Sequence, residues 1–181
     1  EDNSGFVVGG NLVGIVQPIT QRIPPQDLII YEMMIDDFVN KLPGDPAKNM
    51  LDIVRGNLNY LNELGVTALH PLPWTTVPGS SFNWGYEPFL FFSVDERLTD
   101  RTGMSSQNNV DRLHSLKLLI ESLHASNIHV IMDGVFNHAR AEFPYLQFYQ
   151  NRDDCPYIGQ FEDAGFFEEI DFNNGCARQL I

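Results

Sequence analysis

Three apolar runs of strand length limit what this chain can become: Leu28-Ile29-Ile30-Tyr31-Glu32-Met33-Met34, Val66 to Leu72, and Ile128 to Phe136. Continuous runs of this kind suit strands buried on both faces, as in parallel sheets. Between the first two runs, Leu51, Val54, Leu58 and Leu61 recur at helical spacing. Between the second and third, Val110, Leu113, Leu116, Ile120 and Leu123 do the same. Asp45-Pro46 reads as the start of the first helix, because Asp can cap and Pro fits the first helical position. Gly65, free to take the left-handed conformation, reads as its end, and Asn127 as the stop of the second. Strand, helix, strand, helix, strand implies a parallel sheet with right-handed crossovers, in either a doubly wound sheet or a barrel. The first strand–helix turn carries no Gly-rich phosphate loop, which weakens a nucleotide-binding version.

The flanks of this alternation are less regular. Residues 1–27 end in Ile23-Pro24-Pro25, and two successive prolines fit neither a helix interior nor a central strand, so 1–27 reads as an extension or linker. Residues 74–104 read as a long aromatic loop region. With 181 residues the chain is long enough for one ordinary domain. Its formal net charge of -13 would repel a phosphate backbone and an anionic membrane surface. No apolar run approaches the roughly 18 residues of a membrane helix. A neutral ligand such as a sugar is compatible with that charge. The opening Glu1-Asp2-Asn3-Ser4 does not look like a signal peptide, and the compartment stays open. Cys155 and Cys176 have no third ligand at zinc spacing and read as free thiols.

In parallel α/β folds, sites form at the carboxyl ends of the strands. The third run ends Met132-Asp133-Gly134-Val135-Phe136-Asn137-His138. An Asp inside an apolar strand is costly unless it is paired or hydrogen-bonded, and Asn137 and His138 follow on the same rim. A satisfied core Asp before an ordinary loop would give the same spacing.

The motif as a whole says more. Asp-x-Val-x-Asn-His resembles the first signature segment of glycoside hydrolase family 13, the α-amylase family. Ile30-Tyr31-Glu32-Met33 with Asp36-Asp37-Phe38 is similar to the family's first barrel strand. Asn83-Trp84-Gly85-Tyr86-Glu87-Pro88 is similar to the loop after the second strand, and Ile170-Asp171-Phe172-Asn173 to the segment closing a small inserted domain. The four segments stand in the family's order, from about residue 23 onward.

The resemblance implies a TIM (β/α)8 barrel, of which residues 28–138 would supply the first three strands and 139–181 the inserted domain with the start of the next helix. It implies a retaining glycosidase or transglycosidase acting on α-linked glucans such as starch or glycogen. Its nucleophile and acid/base would follow the fourth and fifth strands, outside this sequence, so the chain alone is expected to be inactive. The alternative is a non-catalytic relative that binds carbohydrate or a protein partner. Asp133 and His138 are the candidate catalytic residues. Asp133 matches an aspartate ordering the charged network under the nucleophile, and His138 a histidine that hydrogen-bonds the sugar's primary hydroxyl. Tyr86, Trp84 and Asn137 are the candidate substrate-binding residues, Tyr86 as a stacking platform for the pyranose. Beside Phe82, Trp84 and Phe89, Tyr86 could equally serve packing. No cofactor is required; calcium stays open through Asn137, a ligand in calcium-dependent members, but no set of six to eight oxygens is apparent. Two departures stand out: Glu87 where the family usually has Asp, and Met34 and Asp36 where it usually has His and Arg. The Asn-Trp-Gly-Tyr wording leans toward debranching and branching members, whose substrates carry α-1,6 linkages.

Overall fold

The structure, a computed structural model, describes residues 16–42, 49–79, 83–99, 109–159 and 167–181. The helix start expected at Asp45-Pro46, the first 15 residues, Phe82 and residues 100–104 of the aromatic region lie outside the described residues. Contacts divide the chain into two compact units: Glu1–Trp74 with Val94–Asp133, and Thr75–Ser93 with Gly134–Ile181.

The first unit is built on three parallel strands, β1 (Ile30–Met33), β2 (Ala68–Pro71) and β5 (His129–Val130), in the order β1-β2-β5. Each strand therefore pairs with its predecessor in the alternation, as the strand–helix–strand pattern demands. Helices α1 (Ile35–Asn40), α2 (Met50–Gly56), α3 (Leu58–Glu63) and α4 (Asn109–Ala125) complete it. Leu51, Val54 and Leu61 are fully buried with Leu69 of β2 and Leu119 and Leu123 of α4. Burying each such side chain contributes about 1.5–3 kcal/mol. Asn49 caps α2, accepting from the backbone N–H of Leu51 and Asp52 at 2.9 and 3.3 Å. The helix expected to run on to Gly65 breaks at Asn57, whose side chain instead donates to Ile53 O at 2.8 Å. Gly65 ends α3 at φ 74°, and Asn127 follows α4 at φ 57°, the left-handed stops anticipated at both positions.

Two expectations about the strands need correction. The first run is not buried on both faces: Ile29 and Ile30 are exposed and only Met33 of β1 is buried. Among the described residues β1 has one strand neighbour, β2. The third run is cut to two residues, so Asp133 lies beyond the ladder rather than inside a strand. The cause is in the partner. His129 and Ile131 donate their backbone N–H groups to Thr67 O and Leu69 O, at 2.8 and 2.9 Å. The next bond in that register would come from the N–H of residue 71, and Pro71 has none.

The stretch at 74–104 is also more ordered than a loop. β3 (Thr75–Thr76) and β4 (Leu90–Val94) form a two-stranded sheet, followed by a 3-10 turn at Glu96–Leu98. Asp95, almost fully buried in the first unit, grips Arg97 through both oxygens at 2.8 and 2.9 Å. Burial alone would lower the Arg97 guanidinium; hydrogen bonds to Asp95 and its charge hold it above its ordinary value.

The second unit has a core of another kind. Phe91, Ala139, Phe143, Ile170 and Ala177 are buried together, and Phe143 lies 5.7 Å from Phe91 and 5.3 Å from Tyr145, ring centre to ring centre. Its regular elements are short: β6 (His138–Ala139) pairs antiparallel with β7 (Glu168–Glu169), and α5 spans Gly175–Leu180. An ion pair between Arg152 and Glu168 closes the intervening segment. Cys155 is buried and Cys176 exposed, both as free thiols.

Candidate functional site

The carboxyl ends of the three parallel strands carry a cluster within the first unit. Glu32 of β1 and His70 of β2 are register partners. His70 Nδ1 lies 3.5 Å from Glu32 Oε2, and its Nε2 lies 3.9 Å from Asp133 Oδ2. A neutral imidazole has one N–H and can serve one of these carboxylates; the imidazolium can serve both. Asp133 was singled out from sequence, but His70 was not. Its signal was the same as that of Asp133, a polar residue near the end of an apolar run.

In the second unit, the segment Asn83 to Pro88 folds back on itself. Asn83 Oδ1 accepts from the Gly85 N–H at 2.8 Å, which closes a side-chain turn. Gly85 takes φ 95°, a region L side chains avoid, so the Trp-Gly-Tyr wording is a backbone requirement. This turn leaves Trp84 59% and Tyr86 40% exposed. Pro88, by contrast, is fully buried.

His138 meets the segment directly. Its Nε2 lies 2.7 Å from Tyr86 O. A carbonyl only accepts, so Nε2 carries the proton and donates. In the neutral ring Nδ1 is then an acceptor. The ring stacks on Phe167, with centres 4.4 Å apart and planes 16° from parallel. Asn137 is exposed in the sequence position before it, and its backbone carbonyl accepts from Ile170 N–H at 3.0 Å. Two residues beyond His138, Arg140 donates from Nη1 to Glu87 Oε2 at 3.1 Å and from its backbone N–H to Pro88 O at 2.9 Å. Arg140 was not foreseen. Its signal was Glu87, an acid in a turn that needs a cation nearby.

Tyr86, Trp84, Asn137 and His138 thus fall in one unit, with Tyr86 and His138 in direct contact, while Asp133 belongs to the other with Glu32 and His70. Calcium calls for six to eight oxygens. Among the described residues no group of three His, Cys, Asp or Glu side chains converges to hold a metal. No helix among the described residues is long and apolar enough to cross a membrane.

Comparison with known proteins places this arrangement. No family model matches the chain. The chain is 31% identical over 171 residues to a glycogen operon protein GlgX homolog of Haemophilus influenzae, covering 87% of this chain and 24% of the relative. It is 30% identical over 179 residues to a pullulanase of Bacillus subtilis, covering 83% and 24%. It is 28% identical over 150 residues to a malto-oligosyltrehalose trehalohydrolase of Saccharolobus solfataricus, covering 80% and 23%. The chain spans about a quarter of the length of the curated relatives it matches. Among solved structures, an Anoxybacillus α-amylase superposes with a TM-score of 0.64 at 20% identity, covering 88% of this chain and 37% of that one. The GBS pullulanase SAP, solved in complex with maltotetraose, superposes at 0.61 with 22% identity, covering 86% and 22%. Parallel strands with polar groups at their carboxyl ends form an α/β unit on a fold shared with amylases. The relatives the chain matches are members of glycoside hydrolase family 13, the α-amylase family.

Proposed function

We propose that this chain is the opening part of a (β/α)8-barrel enzyme that acts on α-linked glucans by a retaining mechanism. On this reading β1, β2 and β5 are the first three barrel strands and residues 139–181 belong to the inserted domain. Residues of the second unit bind the sugar next to the scissile bond. The observation that carries the reading is the pairing of Tyr86 with His138. Tyr86 is an exposed aromatic face on a turn that Gly85 permits, and His138 is locked to the Tyr86 carbonyl through Nε2. A flat ring suits the C–H face of a pyranose. The His138 Nδ1, left as an acceptor, can receive a hydroxyl proton, which would fix the sugar's orientation without proton transfer in the reaction itself.

Asn137 and Trp84 add contacts at the margin of the sugar surface of the second unit, while Asp133, in the first unit, keeps the role the family resemblance implies, a fixed negative charge in the charged network that serves the nucleophile. The nucleophile and the acid/base that a retaining route requires, with carboxyl groups roughly 5–5.5 Å apart, are assigned to later strands, so the 181 residues alone are expected to be inactive. The reading needs no cofactor. Its substrate is a neutral polysaccharide, and the lean toward α-1,6 linkages is supported by the pullulanase and glycogen-operon relatives.

The test is turnover of pullulan, glycogen and soluble starch by the full-length protein, with product anomer followed by polarimetry or NMR. Release of α-configured reducing ends is expected. Tight binding of these polymers with no turnover would replace the enzyme by a carbohydrate-binding relative, and neither binding nor turnover would end the reading.

A further inference from the structure

The second unit holds a device that the sugar-binding reading does not use. The chain is laced to the aromatic turn at His138, in β6, and at Arg140, one residue past its end. His138 reaches the carbonyl of Tyr86 at 2.7 Å. Arg140 takes the next two positions, Glu87 Oε2 at 3.1 Å with its guanidinium and Pro88 O at 2.9 Å with its backbone. Glu87 receives a weaker third contact from Asn83 Nδ2 at 3.5 Å, which ties both ends of the turn to one carboxylate. Three consecutive residues, Tyr86, Glu87 and Pro88, are thereby fixed to one short segment, His138 to Arg140.

We propose that Arg140 is a positioning residue: paired with Glu87, it holds the Asn83–Pro88 turn against β6 and so aims the exposed faces of Tyr86 and Trp84 at a glucan chain. The proposal rests on the functional reading above. Glu87 explains why the cation must be Arg. The glutamate arm carries its charge one methylene further from the turn than Asp would, and the long planar guanidinium meets it while also facing Glu142 Oε2 at 3.5 Å. The side chains of Arg140 and Glu87 are each about a third exposed, at 36% and 38%, so the pair is partly screened. Its effect is accordingly on the order of the turn, not on whether the unit folds.

The experiment uses the full-length protein and four variants: Arg140→Ala, Arg140→Lys, Glu142→Gln and the exchanged pair Glu87→Arg with Arg140→Glu. Hydrogen exchange is measured for a peptide covering 83–88 and for one covering 143–158. Steady-state kinetics are measured on pullulan, and maltotetraose binding by calorimetry. Arg140→Ala is expected to speed exchange in 83–88 by about 2- to 5-fold, the range of a partly exposed ion pair. It should raise KM and the maltotetraose Kd by the same factor with kcat within about twofold, as loss of uniform binding does. Arg140→Lys and the exchanged pair should recover part of both effects, and Glu142→Gln should change neither. Unchanged exchange in 83–88 for Arg140→Ala would overturn the proposal. So would faster exchange across 143–158 as well, which would make Arg140 a general stabiliser, or faster exchange in 83–88 with unaltered KM and Kd. If the wild-type protein neither binds nor cleaves any glucan, the functional reading fails, and the exchange data still decide whether Arg140 orders the turn.

Discussion

The two units solve the same problem with different materials. In the first, aliphatic side chains from a parallel sheet and its crossover helices form the core, with Leu51, Val54, Leu61 and Leu69 fully buried. In the second, whose strands are short, rings form the core instead: Phe91, Phe143, Tyr145 and Tyr157 meet at centre distances of 4.8 to 5.7 Å along a chain of contacts. Aromatic pairs contribute about 0.5–1.5 kcal/mol beyond their buried area and prefer tilted geometries. An irregular backbone supplies such geometries, whereas a regular sheet is better matched by branched aliphatic chains. A fold can therefore put a core of regular elements in one place and a loop-built surface in another, each with its own cohesion.

Substitutions can break or sharpen this contrast. The largest effect is expected from Phe143→Ala, which removes a ring only 1% exposed and should destabilise by about 3–5 kcal/mol, against about 2–5 kcal/mol for Leu69→Ala. Denaturant unfolding of the full-length protein measures both; a cost under about 1 kcal/mol for Phe143→Ala would mean that the second core does not cohere as described. Next comes Tyr86→Ala, expected to lower kcat/KM by on the order of 1–3 kcal/mol of transition-state binding, roughly 5- to 150-fold, with little loss of stability. If it unfolds the protein while the soluble fraction keeps full activity, Tyr86 is a packing residue and the surface assignment fails. Gly85→Ala forces an L side chain to φ 95° and should cost about 1–2 kcal/mol. Asn49→Ala, which uncaps α2, should cost about 1 kcal/mol. A shift in melting temperature for Gly85→Ala but none for Asn49→Ala would place more strain in the turn than stability in the cap.

The same contrast explains what could be read from the sequence. Apolar periodicity reported the three strands and the helices between them, because in the first unit Leu51, Val54, Leu61, Leu116 and Leu123 face a core built from repeating elements. Their ends were less legible. Pro71 stops a ladder on the neighbouring strand, an effect invisible in the third run itself, and Asn57 breaks a helix whose apolar spacing runs straight through it. Periodicity carries no information over the two residues of β3, and the five residues of β4, four of them apolar, show no alternation, so both were missed as elements. The motif wording was legible in the second unit instead, since Gly85 and Asn83 are demanded by one turn. His70 and Arg140 escaped because each acts through a partner distant in sequence, and a single sequence does not show partners.

The register of the parallel sheet has a consequence for how the chain is made. Every pairing in it joins a strand to the one before, so the sheet can grow in the direction of synthesis without waiting for a distant segment. Ala68 pairs with Ile30 as soon as it emerges, but its other neighbour, His129, lies about sixty residues later. At about 5–20 residues per second, that interval is roughly 3–12 seconds. Throughout it the outer edge of β2 stands open with its N–H and C=O groups unpaired, an invitation to stray strands. Pro71 takes one donor off that edge in advance, so the residue that shortens the finished ladder also makes the nascent one less adhesive.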